Sequence, residues 1–307
     1  MKSMSLWRKT YLPGCASKWG EGMPARLLTG KEVAAAINER TMARVDELKG
    51  RGIVPTIAFL RVGDKEDDIA YENSALRRCV KMGIGYRQFH LDKAASQDEL
   101  MSAIEEINSD SSIHGVLMLR PLPSGFDEKA ACAALSARKD IDGITNSSLA
   151  GIFTGEEIGY PPCTAQAVLE ILKYYGISID SKRVVVVGRS LVIGRPVALM
   201  LLGGNATVTI CHTHTRDLPS VCRQADIIVA AAGAMDVVDA SCLRPDQVVV
   251  DVGIHIMGDG SMRGDVDWKK AQEIVAAITP VPGGVGTVTT AVLMSHLVEA
   301  AVKASSY

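Results

Sequence analysis

Apolar and polar positions along the first half of the chain follow two periods. A repeat close to 3.6 residues predicts helices, one of them opened by a capping-box pattern in which Ser96 precedes Glu99 by three positions. Short apolar runs bounded by Gly, Asp or Pro predict buried strands. The predicted helices cover residues 31–48, 68–82 and 96–108. The predicted strands cover residues 56–62, 86–91 and 115–119.

The second half repeats this alternation of strand and helix. We expect Thr164 to cap its first helix, and we expect the last helix to return to the first half of the molecule. Strands at 183–187, 206–211, 225–230 and 247–252 alternate with helices at 164–175, 195–202 and 289–302. Regular alternation predicts an α/β protein of two domains, each with a parallel sheet and right-handed crossovers.

Composition narrows the function classes. The 307 residues are 47% hydrophobic and 22% charged, with a net charge of −2, which removes the electrostatic argument for a nucleic-acid partner or an anionic membrane. We expect no membrane span, because no apolar run in the sequence approaches the ~20 residues that one needs. The seven cysteines are scattered without a CxxC pair, as is typical of reduced thiols in a cytoplasmic protein. Residues 1–22 lack the apolar core of a secretory signal, and we treat them as an extension of unknown role.

A glycine-containing turn follows the strand at 183–187. Its sequence is Gly-Arg-Ser-Leu-Val-Ile-Gly from Gly188 to Gly194, and a predicted helix follows at once. Small residues allow a backbone to approach a pyrophosphate, while the helix N-terminus supplies free amides. The pattern meets the dinucleotide fingerprint only in part, so a purely structural turn is the alternative.

The end of the next strand favours NADP over NAD. An NAD enzyme places an acidic residue here to bind the ribose 2′-hydroxyl, whereas this segment, Cys211 to Arg216, has no carboxylate. Arg189 and Thr213 can hold a 2′-phosphate instead. His212 and His214 have the spacing of two metal ligands, but no third ligand is suggested nearby, and we predict no metal site.

Seven segments taken in order resemble the methylenetetrahydrofolate dehydrogenase/cyclohydrolase family. Their order and spacing match from about Met23 to the C-terminus. The segments begin at Ala70 (AYENS), Lys139 (KDIDG), Pro162 (PCT), Gly188 (GRSLVIGRP), Asp251 (DVGI), Gly264 (GDVD) and Thr279 (TPVPGGVG).

The resemblance implies a folate-binding α/β domain over residues 23–160, a Rossmann-type NADP domain over 161–287, and a cleft between them. It also implies that the helix at 288–307 completes the first domain and that the protein is a homodimer. Residues expected around NADP are Gly188, Arg189, Ser190, Val192, His212, Thr213, Gly253 and Ile254. Residues expected around tetrahydrofolate derivatives are Tyr71, Ala75, Met118, Leu119, Arg120, Asp142, Pro282, Gly283, Gly284, Val285 and Gly286.

The resemblance assigns catalytic roles to Tyr71 and Asp142. Hydride transfer from methylenetetrahydrofolate to NADP+ requires orientation more than an acid or base, and Asp142 would anchor the pterin by accepting from its N–H groups. Without the resemblance, Asp142 reads as a carboxylate of an Asp-Gly turn.

The family's cyclohydrolase step depends on a Tyr-x-x-x-Lys pair and on a glutamine that bonds to the lysine. Here Ala75 occupies the lysine position and Leu119 the glutamine position. Arg78 and Arg120 remain protonated, so neither can shuttle protons as a lysine does. Strand alternation directs Arg120 away from Leu119. Smaller departures are Ala165 and Thr287, where the family has proline.

The prediction is therefore an NADP-dependent dehydrogenase with weak or absent cyclohydrolase activity. Three alternatives stay open at this point: the ordinary bifunctional enzyme, a dehydrogenase of the same fold with a non-folate substrate, and a non-catalytic relative that binds folate or NADP.

Overall fold

Two parallel sheets, a two-stranded antiparallel sheet and ten α-helices are found in the part of the chain that the structure, a computed structural model, describes, residues 24–305. The predicted extension at 1–22 lies outside these residues. The helices are α1 (Gly30–Gly50), α2 (Glu66–Met82), α3 (Gln97–Ser109), α4 (Glu128–Ala134), α5 (Asn146–Thr154), α6 (Cys163–Tyr174), α7 (Gly194–Gly203), α8 (Leu218–Arg223), α9 (Trp268–Ile274) and α10 (Val285–Ala304). The strands are β1 (Arg26–Leu27), β2 (Thr56–Val62), β3 (Gly85–Leu91), β4 (Gly115–Met118), β5 (Arg183–Val187), β6 (Thr207–Cys211), β7 (Ile227–Ala230), β8 (Val248–Asp251), β9 (His255–Ile256), β10 (Met262–Arg263) and β11 (Ala277–Ile278).

The two main sheets confirm the predicted α/β class. The first is three-stranded in the order β3–β2–β4, and the second is six-stranded in the order β1–β11–β8–β7–β5–β6. All pairs within them are parallel. Strand β1 pairs with β11, so this short segment joins the second sheet rather than the domain that begins at residue 23 in the sequence prediction.

The side chains of the two parallel sheets pack into three hydrophobic cores, because successive strand residues face opposite sides. Ile57 and Phe59 of β2 face the helices between the two sheets, whereas Ala58 and Leu60 face the opposite side, against α3 and α4. The second sheet divides in the same way, with a third core on its far face. Because neighbouring strand residues point to opposite faces, both faces of each sheet are covered.

Helix α10 links the two halves of the molecule. It packs closely against α1 and α6 and also reaches β2. Within the described residues it is the one helix that is long and apolar enough to cross a membrane, which the sequence analysis did not anticipate. However, 61% of its most apolar window is buried inside the protein, as in the core helix of a globular fold.

Local capping signals were correct in one place and wrong in another. Ser96 and Glu99 form both bonds of the capping box at the start of α3. Thr164 does not cap α6, because that helix begins one residue earlier, after Pro162, and has no side-chain cap. The helices α4 and α5 were not predicted, since each is too short to show a clear period.

Candidate functional site

A cavity of about 520 Å3 lies between the two domains. The first domain contributes the segment after β4 and the loop before α5, while the second contributes the turn after β5. Its walls include Arg120, Glu128, Asp142, Cys163, Leu191 and Val192. In parallel α/β sheets, ligands bind beyond the carboxyl ends of the strands, and this cavity has that location.

Asp142 is the acidic group of this cavity with the most altered ionisation. Burial raises its pKa to about 6, although the Cys163 thiol and the positive charge of Arg120 both act to lower it. No backbone amide is hydrogen-bonded to this carboxylate among the described residues. A half-buried carboxylate whose acceptor sites are not filled by backbone amides is suited to accept hydrogen bonds from a ligand.

The buried carboxylate of Asp140 fixes the loop that carries Asp142. This fully buried carboxylate accepts from the backbone of Ile144 at 2.9 Å, from the backbone of Thr145 at 2.8 Å and from the Ser148 hydroxyl at 2.6 Å. Gly143 has φ = 71°, and a Cβ there would lie 2.4 Å from the nitrogen of Pro162. The turn after Asp142 therefore requires glycine both for its backbone angle and for space.

Tyr71 lies on α2 with its hydroxyl directed toward the same site. The residue is 45% exposed, yet desolvation of its hydroxyl, with the negative charge of Asp142, raises the tyrosine pKa to about 12. The hydroxyl also bonds with the side chain of Thr290 on α10. The structure thus brings Tyr71 and Asp142 together, and Tyr71 is a neutral hydroxyl at physiological pH.

Three residues expected around the folate lie in hydrophobic cores. Ala75 is 1% exposed and Leu119 is 6% exposed, and both belong to the core between the sheets. Met118 is buried in the opposite core, against α3 and α4. None of the three lines the cavity, so their predicted contact with folate is not evident in the geometry.

Arg120 points away from Leu119, in agreement with the strand alternation predicted from the sequence. Its guanidinium lies against α4, on the side of the first sheet opposite the core that contains Leu119. Arg120 lines the cavity, and its guanidinium donates to Glu128 at 3.2 Å.

The turn after β5 has the shape expected of a nucleotide site. In the second sheet, β6 and β7 lie on opposite sides of β5, so the chain reverses its winding direction at that strand. Gly188 has φ = 129°, and a Cβ there would lie 2.0 Å from the carbonyl oxygen of Ala231. A Cβ on Gly194 would lie 2.3 Å from the carbonyl oxygen of Gly188. The turn fits a closely approaching pyrophosphate because side chains are absent where the backbone must be reached.

Ser190 supports this turn from within. Its hydroxyl accepts from the backbone of Ile193 at 3.1 Å and of Gly194 at 3.3 Å, at the start of α7. Arg189, Ser190 and Val192 are exposed on the outer side of the turn.

Arg189 and two histidines lie where a 2′-phosphate is predicted. Burial, followed by the charges of Arg189 and His214, lowers the pKa of His212. The backbone of His214 donates to Nδ1 of His212 at 3.1 Å, so that ring nitrogen is already engaged. Thr213 is exposed between the two histidines. Within residues 24–305 no group of three or more potential ligands suitable for a metal ion is found.

A second cavity of about 270 Å3 is lined by residues predicted to bind the cofactor and by residues predicted to bind folate. Gly253 and Ile254, expected around the cofactor, share its walls with the loop expected around folate. That loop contributes Pro282, Gly283, Gly284, Val285 and Gly286, the last two of which begin α10.

Three residues of the site were not assigned a role by the sequence. Cys163 stood in a matching segment, but its contact with Asp142 was not foreseen. His296 on α10 is buried and donates from Nδ1 to the carbonyl of Ile141 at 2.9 Å, which supports the loop from behind. Glu128 holds Arg120. Cys163 and His296 have partners distant in sequence, and Glu128 lies eight residues from Arg120 across an irregular segment, so no periodic pattern indicates these contacts.

Two family models together cover most of the chain. Residues 28–142 match the catalytic domain of tetrahydrofolate dehydrogenase/cyclohydrolase, and residues 162–305 match its NAD(P)-binding domain.

Individual proteins are similar over nearly the whole length. The chain is 48% identical over 278 residues to the bifunctional protein FolD of Carboxydothermus hydrogenoformans, covering 90% of this chain and 97% of the relative. The crystal structure of the bifunctional enzyme FolD from Campylobacter jejuni has a TM-score of 0.88 at 36% identity, covering 91% and 99% of the two chains. The Trypanosoma brucei dehydrogenase-cyclohydrolase, complexed with NADP cofactor and an inhibitor, has a TM-score of 0.85 at 30% identity, covering 93% and 100%.

Proposed function

Because the chain belongs to the tetrahydrofolate dehydrogenase/cyclohydrolase family, we propose that it oxidises 5,10-methylenetetrahydrofolate to the methenyl form with NADP+ and has weak or no cyclohydrolase activity. The chain is an enzyme of this family, an NADP-dependent methylenetetrahydrofolate dehydrogenase. The loss of cyclohydrolase activity is the proposal, and one observation carries it: Ala75 and Leu119 fill the lysine and glutamine positions with buried apolar groups.

The proposed dehydrogenase reaction requires little help from acidic or basic side chains. NADP+, when bound, supplies the hydride acceptor, and the turn from Gly188, with Arg189 beside His212, is the region that would hold it. Asp142 would accept from pterin N–H groups and fix the substrate's orientation. Orientation and exclusion of water are the main requirements of hydride transfer.

The cyclohydrolase half requires a group that removes a proton from water. Tyr71, with a pKa of about 12, stays protonated and can donate or orient but cannot act as a base at neutral pH. The Arg120 guanidinium stays charged as well. Asp142 is the carboxylate whose charge acts on Tyr71, and in this proposal its lone pairs are occupied by the pterin.

The second candidate is the ordinary bifunctional enzyme. The naming of the relatives as bifunctional favours it, as does the pKa of about 6 for Asp142, because such a carboxylate is ionised at neutral pH and can act as a general base.

One assay separates the two candidates. Purified protein is given methylenetetrahydrofolate with NADP+, and methenyl absorbance is followed as it rises and then decays. The proposal expects methenyl to form and then decay no faster than in buffer with heat-denatured protein. Decay that scales with enzyme concentration would support the bifunctional candidate, and no methenyl formation would refute the dehydrogenase.

Restoring the two side chains provides the converse test. The double variant Ala75→Lys/Leu119→Gln should raise methenyl hydrolysis at least tenfold, since general acid–base groups contribute about 10²–10⁴-fold. Burial would lower the lysine pKa toward the range in which it can exchange protons. Ser74→Lys is the matched control, because it adds the same amine to the exposed face of α2. Equal hydrolysis in the two variants would show that the position of the lysine is not the missing factor.

Two further assignments stay predictions. A homodimer is expected from the family resemblance, and light scattering across a concentration series measures it directly. The cytoplasmic location rests on the scattered cysteines, which are typical of reduced thiols, and cell fractionation tests it.

A further inference from the structure

Arg120 is held against the wall of the larger cavity by helix α4. Glu128 accepts from its guanidinium at 3.2 Å, and Cys132, one helical turn later on the same face, also bonds to it. The second oxygen of Glu128 accepts from the backbone of Leu122 at 2.9 Å. One carboxylate therefore fixes both the side chain of Arg120 and the backbone that follows it.

The ionisable groups that face Asp142 come from four parts of the structure. Its own loop contributes the Asp140 carboxylate, α6 contributes the Cys163 thiol, α2 contributes the neutral Tyr71 hydroxyl, and the segment after β4 contributes Arg120. Among the groups of the described chain that act on the ionisation of Asp142, Arg120 is the positive one. Burial and Asp140 both oppose a negative charge at this place.

We propose that Arg120 is a positioning residue of the dehydrogenase, which keeps the Asp142 carboxylate ionised so that it can accept the N–H groups of the pterin. The inference rests on the proposed function, because that function gives Asp142 a pterin to bind. Position 75 supplies no positive charge here, and the cation beside the acidic anchor comes instead from the strand end, held by α4.

The physical reason is a competition between burial and charge. A carboxyl group with a pKa of about 6 is mostly ionised at pH 7, but a further rise of about one unit would leave half of it protonated. A protonated carboxyl group loses acceptor sites and the charge that strengthens its hydrogen bonds. Arginine stays protonated throughout this range, so its effect does not vary with pH.

The first experiment records the pH profile of kcat and KM for methylenetetrahydrofolate. In the neutral variants Arg120→Gln and Arg120→Leu, the acidic limb of kcat/KM should move upward by about one pH unit, which lowers kcat/KM about threefold at pH 6.5. The change should lie in KM, with kcat nearly unaffected. Arg120→Lys should restore the limb, because it keeps the charge. An unshifted limb in both neutral variants would overturn the proposal.

Lys129→Leu is the matched control. Lys129 lines the same cavity but is not among the charges acting on Asp142, so its removal should leave the acidic limb in place. An equal shift in Lys129→Leu would show a general effect of cavity charge and would contradict a specific role for Arg120.

A second readout needs no activity. In protein labelled with 13C at aspartate carboxyl carbons, the Asp142 signal is identified by its loss in Asp142→Asn, and its titration is followed with and without Arg120. A higher pKa in Arg120→Gln supports the coupling, and an unchanged pKa refutes it. If the enzyme formed no methenyl product, the proposed function would fail. The titration would still show whether Arg120 lowers the pKa of Asp142.

Discussion

Two carboxylates, one in each domain, share a raised pKa but differ in their hydrogen-bond partners. Burial raises the pKa of Asp142 to about 6 in the first domain and that of Asp251 to about 6 in the second. Their hydrogen bonds separate them. Asp251 accepts from three backbone amides, whereas Asp142 has a thiol beside it and otherwise faces the cavity.

The surroundings of Asp251 form a closed structural network at the end of β8. Its acceptor distances are 3.0 Å from Gly253, 3.0 Å from Asp265 and 3.1 Å from Val266. Asp265, also fully buried, accepts in turn from the backbone of Ala232 at 2.6 Å and from His255 at 2.8 Å. These two carboxylates tie the segments around the second cavity to one another.

The comparison shows that an altered pKa does not by itself identify a functional residue. A carboxylate whose acceptor sites are filled by backbone amides holds a fold together, and one with open acceptor sites toward a cavity is available to a ligand. Removing the first should therefore reduce stability, whereas removing the second should reduce activity.

The largest expected effect is on catalysis. Asp142→Ala should lower kcat/KM for methylenetetrahydrofolate by about 10²–10³-fold, since two charge-assisted hydrogen bonds are worth roughly 3–5 kcal/mol together. Thermal stability should be unchanged or slightly higher, because a desolvated charge is removed. Asp142→Asn keeps one acceptor oxygen, so its kcat/KM should fall less than that of Asp142→Ala. A melting temperature that fell together with the activity would place Asp142 in the same structural class as Asp251.

The next effect is on stability. Asp251→Ala leaves three buried amides without an acceptor, and it should lower the free energy of unfolding by about 3 kcal/mol, allowing for the relief of a buried charge. Urea denaturation measures this loss. Asp259→Ala, which removes an exposed carboxylate from the turn between β9 and β10, is the control and should change little. An Asp251→Ala protein of normal stability would remove the distinction drawn between the two sites.

The sequence predicted one of these carboxylates and overlooked the other. Asp142 stood in an Asp-Gly turn and was given a role, while Asp251, although it begins a recognised segment, was read as part of an apolar strand without a role. Its three donors come from residues up to 15 positions away, in a segment that has no period of its own. Long helices such as α1 and α2 were predicted closely because each repeats its pattern over several turns. Two-residue strands such as β1 depend on partners far along the chain and have no local signal.

The smallest effect concerns the pH dependence of folding. The folded-state pKa of Asp142, about 6, is above the value near 3.8 expected for an unfolded aspartate. The folded protein therefore binds more protons than the unfolded chain between these values, so this group makes the free energy of unfolding decrease as pH rises from about 4 to about 6. Above pH 6 the penalty is fully present, at about 1–3 kcal/mol.

Replacing the carboxyl group of Asp142 tests whether this residue makes the free energy of unfolding decrease as pH rises. Asp142→Asn removes the penalty, so its free energy of unfolding should exceed that of the parent at pH 7 and approach it at pH 4, as measured by urea denaturation across that range. Asp46→Asn, on the exposed face of α1, should follow the parent profile and serves as the control. Asp251 has a similarly raised pKa, so some decrease with pH should persist in Asp142→Asn. A variant whose advantage was equal at pH 4 and pH 7 would mean that the gain comes from packing, and Asp142 would then be ionised in the cavity at little cost.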